Sequence, residues 1–136
     1  MDAAARRLKK LFSKISPMIE PYTQEVCPQC QEVCCKQRHA FPNEKDRIFL
    51  GALSVESPPC DSSRSPDEQC QFLGRKGCIN PRWMRPFRCT WFFCEPLLRA
   101  MERGPEKRYR QLTALLGEIV KVSNDLQVKF LDRESP

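Results

Sequence analysis

The chain has one histidine and five glycines in 136 residues. It shows no Gly-rich phosphate loop, no His-Glu-x-x-His pair and no nucleophile–base arrangement legible from sequence. No apolar run approaches the length of a membrane span. The one candidate for an export signal, Leu11 to Ile19, is interrupted by Lys14, so a signal peptide is not expected. No internal repeat is visible. Acidic residues are absent from the whole interval between Cys70 and Cys94, which holds Arg75, Lys76, Arg82, Arg85 and Arg88.

What the chain does have is sulfur. Cys27-Pro-Gln-Cys30-Gln-Glu-Val-Cys34-Cys35 places four cysteines in nine residues, and Cys60, Cys70, Cys78, Cys89 and Cys94 follow. Thiolates are soft, strong donors for zinc and iron–sulfur clusters, and a C-x2-C step lets two sulfurs converge on one ion from one tight turn. Disulfides are the rival reading. The odd count and the lack of an export signal favour reduced, metal-bound thiols and a cytoplasmic location.

The size predicts one domain with at most a small appendage. Twelve prolines and nine cysteines predict a middle poor in regular structure. Leu8, Leu11, Phe12 and Ile15 recur at helical spacing, predicting a short amphipathic helix over 3–15, ended by Pro17 and Pro21. It is expected to pack on the body; a basic helix lying on a membrane surface is the alternative. Residues 46–55 fit a helix or a strand. Residues 57–66, rich in serine and proline, read as an exposed loop, which leaves Cys60 out of the ligand set. Glu95 to Arg103 reads as one or two helical turns closed by Gly104-Pro105. Beyond it Tyr109, Leu112, Leu116, Ile119, Leu126 and Phe130, widened by Leu115 and Val122, form the strongest helical stripe. The expected fold is a small, mainly α protein: an N-terminal helix (1–20), an irregular Cys-rich metal-binding core (22–103) and a C-terminal amphipathic helix (105–132) packing on it.

With Cys60 set aside, Cys27, Cys30, Cys34, Cys35, Cys70, Cys78, Cys89 and Cys94 are the candidate metal ligands. Eight thiols suffice for two four-ligand zinc ions, or for an iron–sulfur cluster plus a zinc. Side chains of the adjacent Cys34 and Cys35 point in different directions, so they are expected to serve different metals or to bridge them. A zinc ion inside four thiolates keeps a net negative charge, which the central arginines are expected to offset. Phe72, Trp83, Phe87, Trp91, Phe92 and Phe93 are expected to wall the metal. His39 is expected in a supporting or surface position, because eight cysteines already fill two tetrahedral shells. Arg85 is expected to donate to a sulfur or a carbonyl, and Glu44, Asp46, Asp67 and Glu68 to be solvated.

The order Cys27-x2-Cys30-x3-Cys34-Cys35, Cys70-Gln-Phe-Leu, Gly77-Cys78-Ile79 and Arg85-Pro-Phe-Arg-Cys89 resembles the YkgJ-type cysteine-cluster family, a zinc- or iron-chelating domain with a CxxCxxCC signature. The resemblance spans residues 27 to 94. In this chain Gln31-Glu32-Val33 is one residue longer than the family's Gly-containing step, and the interval from Cys78 to Arg85 is also longer. The resemblance implies metal binding. A related module in flagellin-lysine methylases points toward redox-linked modification, but nothing here supplies the rest of such an enzyme.

The spacing does not separate zinc from iron–sulfur. Paired C-x2-C knuckles are typical of zinc, and this chain has one. Its looser later intervals suit an iron–sulfur centre equally well. A metalloprotein whose metal is structural or serves a protein redox partner explains the most residues. A redox or modification enzyme component is the second reading. A zinc-stabilised nucleic-acid or protein-binding module is the third; it would use the basic groups and is not favoured.

Overall fold

A computed structural model describes residues 2–30 and 34–134 of the chain. It is mainly helical, with helices at both ends flanking an irregular middle. The helices are α1 (Asp2–Val26), α2 (Glu44–Ala52), α3 (Arg88–Trp91), α4 (Glu95–Arg103) and α5 (Glu106–Glu134). One two-stranded antiparallel hairpin, β1 (Leu73–Gly74) and β2 (Gly77–Cys78), lies in the middle.

The N-terminal helix is longer than the proline positions predict. It passes through Pro17 and Pro21 and ends at Val26. A proline inside a helix removes one N–H and leaves the carbonyl four residues earlier without its partner. Both prolines are exposed and stand four residues apart, so they share the solvent face and those carbonyls turn toward water. The opposite face is apolar throughout: Leu8, Phe12 and Ile15 have no exposed surface and Ile19 almost none.

That face packs mainly on α5, and also on α2 and α4. The α1–α5 pairing is antiparallel. Arg7 forms an ion pair with Glu118, while at the other end Tyr22 approaches Gly104, just ahead of α5. A Cβ on Gly104 would lie 2.9 Å from the Tyr22 hydroxyl oxygen, so glycine permits this approach. Within α5, Leu112, Ile119, Val122 and Leu126 are buried, as the stripe predicts. With its apolar face covered by protein, α1 has none left for a bilayer. No helix among the described residues is long and apolar enough to cross a membrane.

The ambiguous segment after Pro42 is a helix, and its start explains why. Asn43 and Asp46 form a reciprocal capping box: the Asn43 side chain accepts from the Asp46 N–H at 3.0 Å, and the Asp46 carboxylate accepts from the Asn43 N–H at 2.8 Å. Asp46 also accepts the Phe87 N–H at 2.8 Å. This differs from the solvated position expected for Asp46, which is buried. Burial raises its pKa, against the opposing pull of the Phe87 and Asn43 amides. The Phe87 bond fixes the ring that completes an aromatic triad with Phe12 and Phe49, at centroid separations of 5.3–5.7 Å.

Pro21→Ala restores a helical hydrogen bond at an exposed site. It is expected to stabilise the fold by about 2 kcal/mol, the helix-interior proline penalty less the lost restriction of the unfolded chain. The readout is the urea midpoint. A lower midpoint would mean that the proline shapes α1 in a way the exposed face does not reveal.

Candidate metal centre

The sulfurs are presented by short, locally closed pieces of backbone. Val26, the last residue of α1, leads into a single 3-10 turn, Cys27–Gln29. The Cys30 N–H closes this turn on the Cys27 carbonyl at 3.1 Å. The first knuckle is thus fused to the rigid end of the longest N-terminal element. Gln31, Glu32 and Val33 lie outside the described residues.

Beyond Cys35 the chain pairs with the segment leading to Cys70. The Cys70 N–H donates to the Cys35 carbonyl at 2.8 Å, and the Gln37 N–H to the Glu68 carbonyl at 2.8 Å; Lys36 and Gln69 form an antiparallel bridge. The fully buried Gln37 side chain locks this pairing. Its amide donates to Gln71 Oε1 at 2.8 Å, and its oxygen accepts the Gln71 N–H at 2.9 Å.

Cys78 sits on β2 opposite Leu73, with Arg75 and Lys76 forming the two-residue turn. Gly77 has φ +106°, a conformation L side chains rarely adopt. Cys89 lies in α3, and Cys94 is the N-cap residue of α4.

All eight candidate ligands fall into one electrostatic neighbourhood. Cys27 is pushed up to about 11 by burial and by Cys35, Cys30, Cys94 and Cys34. Burial, then Cys70, Cys78 and Cys34, raise Cys35 against the opposing pull of Arg85. Cys89 is pushed up to about 12 by burial and by Cys35, Cys78 and Cys70, again against Arg85. Cys27, Cys35 and Cys89 nevertheless keep solvent-facing surface, so they line the rim of a crowded site. Among the described residues all nine cysteines are thiols outside any disulfide. Also among them, no group of three or more His, Cys, Asp or Glu side chains is arranged to hold a metal ion. The donor chemistry fits a thiophilic metal; the sulfurs share a neighbourhood without having closed on a point.

A pair of arginines braces the site from behind. Glu20 of α1 accepts from Arg82 at 2.6 Å and from Arg85 at 3.2 Å. Arg82, buried, also donates to the Cys89 carbonyl at 3.1 Å. Arg85 donates to the Asn80 carbonyl at 2.9 Å and to the Cys78 carbonyl at 3.5 Å. As expected, Arg85 serves a carbonyl. Its charge also faces Cys35 and Cys89, where a cation favours thiolate.

In front of this brace lies a cavity of about 30 Å³, lined by Cys70, Cys78 and Cys89 together with Phe72, Met84 and Arg85. Only Phe72 of the expected aromatic wall lines it. Phe87 belongs to the core, Trp83 packs against it beneath Lys9, and Trp91 and Phe92 are exposed. Phe87, although it lies between cysteines, packs against Phe12 of α1 and Phe49 of α2.

Comparison with protein-family models, curated proteins and solved structures returned no match to this chain. The site is therefore read from its own residues.

His39 stands beside the thiols, its ring hydrogen-bonded to the Cys34 backbone, and burial lowers its pKa. Cys60 lies near Cys70, but its thiol donates to the Ala40 carbonyl at 3.3 Å. Glu44, Asp67 and Glu68 are exposed, as expected. Glu20, Gln37 and Gln71 were not anticipated. The one signal pointing to them was position: Gln37 and Gln71 follow the Cys34-Cys35 pair and Cys70 closely.

Glu20→Gln removes the carboxylate that neutralises buried Arg82. It is expected to cost about 3 kcal/mol, near the low end for breaking a buried pair because one edge of Glu20 meets water. Burial raises the Glu20 pKa, but the two arginines outweigh it and hold it below the ordinary 4.5. A carboxylate depressed in the fold stabilises fully above its unfolded pKa, and that contribution is lost as pH falls through the folded value. Acid unfolding curves should show this loss below pH 4.5 in the parent and not in Glu20→Gln. Parallel curves would contradict the assignment.

Proposed function

We propose that this is a cysteine-cluster metal-binding protein in which thiolate coordination ties the loop-built middle to the helical frame. The observation that carries the reading is that eight thiols from separate segments share one electrostatic neighbourhood: the end of α1, the Cys34-Cys35 pair, the Cys70 turn, β2, α3 and the start of α4. The raised pKa values of Cys27, Cys35 and Cys89 argue against any of these three acting as a free-thiol nucleophile, which needs a depressed pKa. A cation relieves the mutual repulsion of the thiolates and displaces their protons, so binding and final ordering of the site occur together.

Zinc and iron–sulfur both satisfy this donor set. Zinc would supply a structural cross-link. An iron–sulfur centre would supply one-electron chemistry to a protein redox partner. The resemblance to the YkgJ-type family points to the same class. Of the central basic group, Arg82 and Arg85 are committed to Glu20 and to backbone carbonyls, which takes these two away from a nucleic-acid role.

Protein purified without oxygen is expected to hold zinc, or iron with acid-labile sulfide, in stoichiometric amount. Removing it with a chelator should leave most helical circular dichroism intact, because α1, α2 and α5 share an apolar core built mainly of Leu, Ile and Phe side chains. Proteolysis should then become faster between residues 53 and 94. Protein that contains neither metal and takes up none would overturn the reading.

A further inference from the structure

We propose that the surface formed by the β1–β2 hairpin and α3 docks single-stranded nucleic acid, with Arg75, Lys76 and Arg88 meeting phosphates and Trp91 and Phe92 stacking on bases. This surface stands apart from the metal-binding reading and holds whichever metal the thiols take.

The chain from Cys70 to Cys94 carries five cations and no acidic residue. Arg82 and Arg85 turn to Glu20. The other three are exposed: Arg75 and Lys76 form the hairpin tip, and Arg88 opens α3. Among the described residues none of these three forms an ion pair. Acidic residues flanking the interval are already engaged, Asp67 with Arg38, Glu68 with Arg64 and Glu95 with Arg99.

The hairpin and α3 are held by one brace. Arg85 donates to the Cys78 carbonyl of β2 and Arg82 to the Cys89 carbonyl of α3, and both guanidiniums meet Glu20. Cys78 and Cys89 line the same small cavity. Lys76 stands two residues before Cys78 and Arg88 one before Cys89. The three cations thus stand at the edges of one short surface.

Two rings give this surface what a plain basic patch lacks. Trp91 rests on the buried Phe87 at a centroid separation of 5.3 Å, which anchors it while 37% of it stays in water. Phe92 is 46% exposed and carries the Arg88 guanidinium over its ring at 4.5 Å. Exposed aromatic faces beside guanidinium groups are a platform on which unpaired bases stack. Carboxylates alone would satisfy the cations but not the rings, and a duplex keeps its bases stacked on one another. A single strand offers phosphates and open base faces together.

Full-length protein as purified, kept reduced, is mixed with fluorescein-labelled oligothymidine, and binding is followed by anisotropy against salt and by tryptophan fluorescence. Binding should quench tryptophan and should fall with salt with a log–log slope of about −2, three phosphates at roughly −0.7 each. The duplex with oligoadenine should bind more weakly. Trp91→Leu should weaken binding about fivefold or more, the worth of one stacked base, and abolish the quenching. Arg75→Ala with Lys76→Ala, a pair on an exposed turn, should reduce the slope to about −0.7 with circular dichroism unchanged. Lys10→Ala with Lys14→Ala, on the exposed face of α1, should leave binding as it is.

Failure to bind at low salt would overturn the proposal. Equal binding of single strand and duplex without quenching would reduce it to the attraction of a basic chain for any polyanion. Competition by polyglutamate as strong as by unlabelled oligothymidine would assign the surface to an acidic protein instead. Loss of binding in the α1 pair, with the hairpin pair unchanged, would place the contact elsewhere. None of these outcomes bears on whether the thiols hold a metal.

Discussion

The bond on which the cysteine-bearing middle most depends is the clamp of Glu20 on Arg82 and Arg85. Glu20 belongs to α1, whose apolar face is sealed into the core, so its carboxylate has a fixed position. Through the two guanidiniums it reaches the carbonyls of Cys78, Asn80 and Cys89. Backbone that would otherwise be held by few regular hydrogen bonds is thereby referred to a rigid helix. A second tie, the Phe87 amide on the Asp46 carboxylate, sets the same segment against α2. Both are charge-assisted bonds made largely out of water, where they are stronger than at a surface.

The electrostatics of the site follow from this brace. Burial and close packing of thiols disfavour thiolate, and Arg85 works in the opposite direction at Cys35 and Cys89. The balance leaves these sulfurs protonated near neutral pH and chemically quiet as free thiols. A metal changes the balance, because its charge compensates several thiolates at once. With a metal bound, Arg85 would face an anionic centre, and the Glu20 carboxylate behind it fixes where the guanidinium stands.

The parts of this protein that were legible in its sequence are those governed by local period or by donor chemistry. The α5 stripe from Tyr109 to Phe130 could be read because helical spacing of apolar side chains persists for several turns. The density of cysteines in the sequence predicts that their thiols share one site, and eight of them fall into one electrostatic neighbourhood. The prolines predict an earlier end to α1 than the structure shows. Four-residue spacing put both prolines on the solvent face, where the lost bonds cost least. The Glu20 clamp, the Gln37–Gln71 lock and the buried Asp46 pair residues tens of positions apart, and no local pattern announces such pairs. Of the aromatic residues between the cysteines, Phe72 lines the cavity and Phe87 joins the core, a choice of surface that local sequence does not encode.

X-ray absorption at the edge of the metal that co-purifies with the intact chain tests the central claim most directly. Four sulfur neighbours, at about 2.3 Å if the metal is zinc, with no nitrogen or oxygen in the first shell, is the predicted result. A shell of mixed nitrogen and oxygen would mean that the metal is held elsewhere, and that the gathered thiols are not its site.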